Sequence, residues 1–247
     1  GNLKLAYQRV VENEGAAGVD GIGVAEFKDH LKQHWPTIKA KLLAGSYIPS
    51  PVRRVDIAKP QGGTRTLGIP TLTDRMIQQA LHQVLSPIFE ADFQPGSFGY
   101  RPKRTAHEAV DRVAKAIVQH KTRVIDIDLR SYFDNVRHDR LLAKVASRVD
   151  DPDVMHLLKI MLKANGRCGV PQGGVISPLL SNLYLTEVDR MLERAKEVTR
   201  SGKYTYIEYA RFADDLVILI DAYPRHDWLM GAVEKRLRAE LADLQVE

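Results

Sequence analysis

Two periodicities divide the chain into elements. Apolar residues recur at helical spacing through Met76, Ile77, Ala80, Leu81, Val84 and Leu85, predicting a helix over residues 71–89 that Pro87 ends or kinks. Thr105-Ala106-His107-Glu108 has the form of a capping box opening an amphipathic run through Ala109, Val110, Val113, Ala116 and Ile117. Alternation takes over at residues 123–129, where Ile125, Ile127 and Leu129 oppose Val124, Asp126 and Asp128, so that one face of a predicted strand carries two acids. Residues 47–70 alternate at Val52, Val55 and Ile57 around Pro60-Gln61-Gly62-Gly63, the pattern of a hairpin.

Short helices are predicted over residues 138–149 and 154–163. Beyond a glycine-rich loop, Ser177-Pro178 reads as an N-cap with proline at the first helical position, followed by Leu179, Leu180, Leu183, Tyr184, Val188 and Met191. Two β-rich runs within residues 204–220 flank Ala213-Asp214-Asp215 and predict a second hairpin with acids at its turn. Residues 228–244 close the chain as an amphipathic helix, and residues 15–23 form a glycine-rich loop between two helical stretches near its start. No fixed repeat or low-complexity tract interrupts this order.

Composition fits an ordinary globular protein: 44% hydrophobic and 27% charged over 247 residues. The longest apolar run, residues 216–220, is far short of the roughly 20 residues that span a bilayer, so no membrane partner is expected. A single cysteine, Cys168, excludes an internal disulfide and a cysteine-based zinc cage, and fits a reducing compartment. The net charge of +5 is unevenly spread, because residues 1–125 hold 18 basic and 11 acidic side chains while residues 126–247 hold 18 and 20. A basic first half suits an anionic partner, and a second half rich in acids suits a different task.

The second acid-bearing strand gives Asp214-Asp215 its interest. Aspartate is common at hairpin turns because it satisfies local backbone groups, so the pair alone reads as a turn. Carboxylates from two adjacent strands can instead converge on Mg²⁺, which takes oxygen ligands from one or two carboxylates and from substrate phosphates. Phe133 reads locally as a core aromatic at a strand-to-helix junction, and Pro171-Gln172-Gly173-Gly174 as a turn. Arg53, Arg54, Lys59 and Arg65 cluster on the first hairpin, where a solvated basic surface and a polyphosphate grip both fit the pattern.

Several of these segments, in order, resemble the reverse transcriptases encoded by bacterial group II introns, which also serve as maturases. The resemblance rests on NEGAAGVDG at residues 13–21, KPQGGTRTLGIPTLT at 59–73 and FGYRPKRTAHE at 98–108. It continues through DLRSYFDNVRH at 128–138, GVPQGGVISPLLSN at 169–182 and YARFADDLVIL at 209–219. Retron and diversity-generating enzymes usually differ around the PQGG loop, which favours the intron lineage. The fold implied is α+β: a fingers-and-palm arrangement in which helices pack on one face of an antiparallel palm sheet. Fingers would occupy residues 1–103 and 136–176, and palm residues 104–135 and 177–247, with thumb, maturase and DNA-binding or endonuclease domains outside this chain.

The resemblance implies catalytic roles for Asp128, Asp214 and Asp215, with Asp128 and Asp214 holding two Mg²⁺ ions. It implies that Phe133 crowds the sugar 2′ position, that Lys59 and Arg65 contact the incoming dNTP triphosphate, and that Gln172 packs near the nucleotide. Arg101 and Lys103 are expected on or near a nucleic-acid channel, or else as exposed loop charges. The family motif usually reads YADD, whereas Phe212 stands at its first position. Implied partners are group II intron RNA as template, a DNA primer or target, and dNTPs, in a bacterial cytoplasm. A homodimer through the surface where a thumb would pack is a further conjecture. The expectation is a folded fragment that binds Mg²⁺ and RNA yet extends primers weakly or not at all alone. Competing readings are a non-catalytic intron-RNA-binding module and a domesticated or CRISPR-associated reverse transcriptase. A generic two-metal nuclease leaves the PQGG loop, Phe133 and the basic hairpin unexplained.

Overall fold

The structure is a computed structural model that describes residues 1–58, 62–164 and 166–246. In chain order its elements are α1 (Asn2–Glu12), α2 (Val24–Leu43), β1 (Arg53–Ala58), β2 (Thr64–Ile69), α3 (Leu72–Glu90) and α4 (Ala106–Val118). There follow β3 (Arg123–Asp128), α5 (Tyr132–Asn135), α6 (His138–Ala146), α7 (Pro152–Lys163), α8 (Ser177–Tyr184), α9 (Thr186–Thr199), β4 (Ile207–Phe212), β5 (Asp215–Ile220) and α10 (Asp227–Leu244). This is the α+β class expected from the sequence, and no described helix is long and apolar enough to cross a membrane.

The chain divides into two compact units, the first made of residues 1–89 and 137–180, the second of residues 90–136 and 181–247. The sequence reading set the first division near residue 103, whereas residues 90–103 belong with the second unit. Backbone pairing explains this: Phe98 N–H donates to Arg211 O at 2.8 Å, and Arg211 N–H donates to Gly96 O at 2.8 Å. Residues 96–98 thus extend the edge of β4 through a parallel bridge at Ser97.

In the first unit, β1 and β2 pair antiparallel from Arg53 opposite Ile69 to Ala58 opposite Thr64. Gly62 and Gly63, at φ of 93° and 82°, take the left-handed backbone that the connection needs, while Lys59, Pro60 and Gln61 lie outside the described residues. One core cluster is Ala6, Val10, Phe27, Leu72 and Met76, with Tyr7 and Trp35 against it. α3 runs through Pro87 to Glu90, so the proline neither ends nor interrupts the predicted helix. α7 starts at Pro152, before the predicted residue 154, because the Asp151 carboxylate accepts from Asp153 and Val154 N–H and Pro152 fits the first turn. The predicted cap at Ser177 is not made: its buried hydroxyl has no hydrogen-bond partner.

In the second unit the sheet order is β3-β5-β4, antiparallel throughout. The predicted capping box forms, with Thr105 Oγ1 accepting from Glu108 N–H and the Glu108 carboxylate accepting from Thr105 N–H. α4 buries Ala109 and Ala116 and places Ala109 and Val113 with Phe98 against Ala210 of β4. Val110 and Ile117, assigned to the apolar stripe by spacing, are exposed. α9 lies along β4, where Tyr209 and Arg211 hydrogen-bond to Asp189.

Candidate active site

The acids are gathered by strand register. β3 and β5 place Asp128 directly opposite Asp215, and Asp126 opposite Val217. Directly opposed residues share a face of an antiparallel sheet, so Asp126, Asp128 and Asp215 project to one side. Phe212 is opposite Asp215 on the other flank, leaving Ala213 and Asp214 as the two-residue turn. Register makes Asp215 the cross-strand partner of Asp128 and puts the half-buried Asp214, expected from the resemblance as the second metal ligand beside Asp128, in the turn. Burial, and then the negative charges of Asp214, Asp128 and Asp126, push the Asp215 carboxyl above the ordinary carboxylate range.

These groups fit Mg²⁺ in donor type, being hard carboxylate oxygens whose mutual repulsion a divalent cation relieves. Among the described residues, no three His, Cys, Asp or Glu side chains are grouped closely enough to hold an ion as a protein-only cage.

The turn itself is held from below. Ala213 has φ of 59°, a left-handed conformation that costs a non-glycine residue about 1–3 kcal/mol. Its carbonyl accepts from Arg211 Nη1 at 2.7 Å, and Arg211 is 1% exposed. The rest of the guanidinium is equally occupied: Nε and Nη2 donate to the Asp189 carboxylate at 2.9 and 2.6 Å, Nη1 to Asn182 Oδ1 at 3.0 Å, and Nη2 to Ser97 Oγ at 2.9 Å. Gly99 fits against the turn, where an added Cβ would stand 2.4 Å from Ala213 N. Asn182 Nδ2 donates to Gly99 O at 2.6 Å. None of Arg211, Asp189, Asn182 or Gly99 was selected as a site residue from sequence. The available signal was Arg211 at an inward position of the alternation Ile207, Tyr209, Arg211.

Phe133 lies in α5, five residues beyond Asp128, half-buried and edge-on to Tyr132 at 5.6 Å. Tyr132 is anchored by its hydroxyl donating to Ser181 O at 2.6 Å, and Ser131 before it takes a left-handed φ of 47°. Arg101 is turned inward: its side chain is 5% exposed, paired with Glu90 at 2.6 Å and donating to Gln94 O and Ser97 O. It therefore fits neither an exposed loop charge nor an open contact for nucleic acid, and it serves as an internal clamp. Lys103 is exposed.

The remaining expected residues belong to the first unit. Arg65 is exposed on β2, and Lys59 lies outside the described residues. Gln172 is half-buried, and its carbonyl accepts from Gly68 N–H at 2.8 Å, tying the PQGG loop to β2. Gln78 of α3 accepts from Val175 N–H at 2.9 Å and secures the other end of that loop.

Residues 57–247 match the family described as reverse transcriptase (RNA-dependent DNA polymerase). Protein YkfC of Escherichia coli K12 is 36% identical over 88% of this chain and 67% of its own length. The group II intron-encoded protein LtrA of Lactococcus lactis is 34% identical over 78% of this chain, but this chain spans only 33% of LtrA. Telomerase from Candida albicans, solved with a fragment of telomeric RNA, superposes over 81% of this chain and 42% of its own with a TM-score of 0.54 at 9% identity, a likeness of fold alone. The chain belongs to the reverse transcriptase family.

Proposed function

We propose that this chain is the fingers-and-palm portion of a group II intron-encoded RNA-directed DNA polymerase, acting in intron mobility and, in the intact protein, in splicing as a maturase. The observation that carries the reading is the register pairing of Asp128 with Asp215 beside the Ala213-Asp214 turn, which sets acids from two strands on one face. Bound Mg²⁺ would supply a Lewis acid that activates a primer hydroxyl and neutralises phosphate charge. One or two of the carboxylates of Asp128, Asp214 and Asp215 would hold it. Phe133, fixed by Tyr132, offers bulk against a ribose 2′-hydroxyl, in keeping with the family resemblance. The family resemblance assigns the triphosphate to Arg65, an exposed guanidinium on β2, and the nucleotide to Gln172, whose loop is hydrogen-bonded to β2. The names of the relatives, group II intron-encoded protein LtrA and nuclear intron maturase 2, support the intron assignment.

Primer extension on an RNA template with dNTPs and Mg²⁺ tests the reading, comparing this chain, its Asp214→Ala variant and a version extended by a thumb. Extension by the longer protein that Asp214→Ala abolishes is the expected result. RNA binding without synthesis in every version overturns it. That outcome leaves the RNA-binding module, a reading favoured by the cleft between α6 and α7 that Arg137, Lys159, Lys163 and Arg167 line. Phosphate contacts of that kind weaken steeply with salt.

A further inference from the structure

We propose that Arg211 is a positioning residue for the acidic turn, holding Ala213 in its left-handed conformation through a bond that only a guanidinium locked by Asp189 can direct. This inference rests on the catalytic reading of Asp214 and Asp215. A guanidinium has five N–H donors in a rigid fork, and all five are used here. Two go to Asp189, and the others go to Asn182, Ser97 and the Ala213 carbonyl. The two Asp189 bonds fix the plane of the fork in a fully buried setting, with the side chains 1% and 0% exposed. The remaining donors then have no freedom, and one of them sits 2.7 Å from the turn carbonyl.

The position of Arg211 in β4 explains why this matters to the acids. It pairs with Leu216, one step inside the Phe212 and Asp215 pair that closes the hairpin. A shift of the Ala213 peptide therefore moves Asp214 directly and Asp215 at the first ladder position. The site asks alanine to hold a conformation that glycine adopts freely, and the guanidinium contributes what the missing glycine would not need.

Four proteins separate this role from general support of the core: the parent chain, Arg211→Lys, Arg211→Lys/Ala213→Gly and Ser97→Ala. Lysine keeps the charge opposite Asp189 but cannot form the fork. Amide hydrogen exchange over residues 211–217 reads the turn without reference to catalysis, and Mn²⁺ titration followed by electron paramagnetic resonance reads the acids. In Arg211→Lys, exchange should accelerate in that segment but not in α9 or β3, and Mn²⁺ affinity should fall by about 10- to 100-fold, as for other residues that orient metal ligands. Adding Ala213→Gly should restore affinity while leaving exchange fast, because glycine reaches the required φ unaided. Ser97→Ala, which leaves the bond to Ala213 intact, should behave as the parent.

Unchanged exchange at residues 211–217 in Arg211→Lys overturns the proposal. So does loosening throughout the second unit, or loss of folding, that Ala213→Gly does not repair. A parent chain that shows the expected exchange pattern but no Mn²⁺ binding would sink the catalytic reading while leaving the turn-holding role established.

Discussion

Asp128 of β3 and Asp215 of β5 stand directly opposite one another in the sheet, two carboxylates on one face at the hairpin's end. Like charges opposed across a ladder are destabilising, by up to about 1 kcal/mol for exposed pairs. The cost is visible in the raised pKa of Asp215, to which the Asp128 charge contributes after burial and Asp214. Asp128→Asn should therefore raise the melting temperature of the protein in EDTA. Millimolar Mg²⁺ should stabilise the parent more than the variant, since binding to the folded state alone adds stability by mass action. A lower melting temperature for Asp128→Asn in EDTA would show that the opposed pair is not repulsive.

Glu208 presents the reverse case at the edge of β4. It is half-buried, which alone would raise its pKa, but the hydrogen bond from Lys196 and the charge of Arg112 outweigh that burial and hold it below its ordinary value of 4.5. Its oxygen accepts from Lys196 Nζ at 2.9 Å and from Arg112 Nη2 at 2.7 Å. A carboxylate with a lowered folded pKa contributes stability that is complete above its unfolded pKa and is lost as pH falls through the folded value. Glu208→Gln should thus be less stable at neutral pH, with the deficit shrinking below about pH 4.5. Urea denaturation at a series of pH values checks this, and a deficit that persists undiminished in acid contradicts the assignment.

The elements that local pattern controls were legible in the sequence. Alternation located the first acidic strand and the side on which Asp126 and Asp128 project, β-rich composition located the second, and the Thr105 and Glu108 pair announced the start of α4. Register was not legible: only hydrogen bonding in three dimensions decides whether Asp214 or Asp215 meets Asp128. The same holds for charge placement. Arg101 was expected on or near a nucleic-acid channel or as an exposed loop charge, yet Glu90 and two carbonyls eleven or fewer residues upstream turn it inward. Arg211 was read as part of a β-rich run, and nothing local indicates that Asp189, Asn182 and Ser97 converge on it. Spacing also overstated the stripe of α4, because small residues, Ala109 and Ala116, make its close contacts while Val110 and Ile117 face solvent.

The Arg211 and Asp189 pair makes a stability prediction separable from its effect on the turn. Removing one partner of a buried ion pair strands the other, a loss of about 3–5 kcal/mol, whereas replacing both by apolar groups of similar volume is often neutral. Asp189→Leu should destabilise strongly, and Asp189→Leu/Arg211→Met should recover much of that loss in chemical denaturation. The double variant would still lack the bond to Ala213 O, so recovered stability without recovered metal affinity is the expected combination. Recovery of both would place the whole effect in the core.

Gly99 gives the most direct test of how closely the turn is cradled. A Cβ built there would lie 2.4 Å from Ala213 N and 3.0 Å from Phe212 C, both backbone atoms that no rotamer change can move aside. Gly99→Ala must then displace either the acidic turn or residues 98–99. The second route strains the bond from Phe98 N–H to Arg211 O and that from Asn182 Nδ2 to Gly99 O. Overpacking of this kind costs about 1–3 kcal/mol, and here the displaced atoms carry Asp214. Gly231→Ala is the matched control: it lies in α10 with no atom near its added Cβ, and alanine there should stabilise the helix by up to about 1 kcal/mol. Thermal melts and Mn²⁺ titrations on the two variants should diverge, with Gly99→Ala losing both stability and affinity and Gly231→Ala gaining stability at unchanged affinity. Equal behaviour of the two would mean that residues 98–99 yield without moving the turn, and that the acids are positioned from the Arg211 side alone.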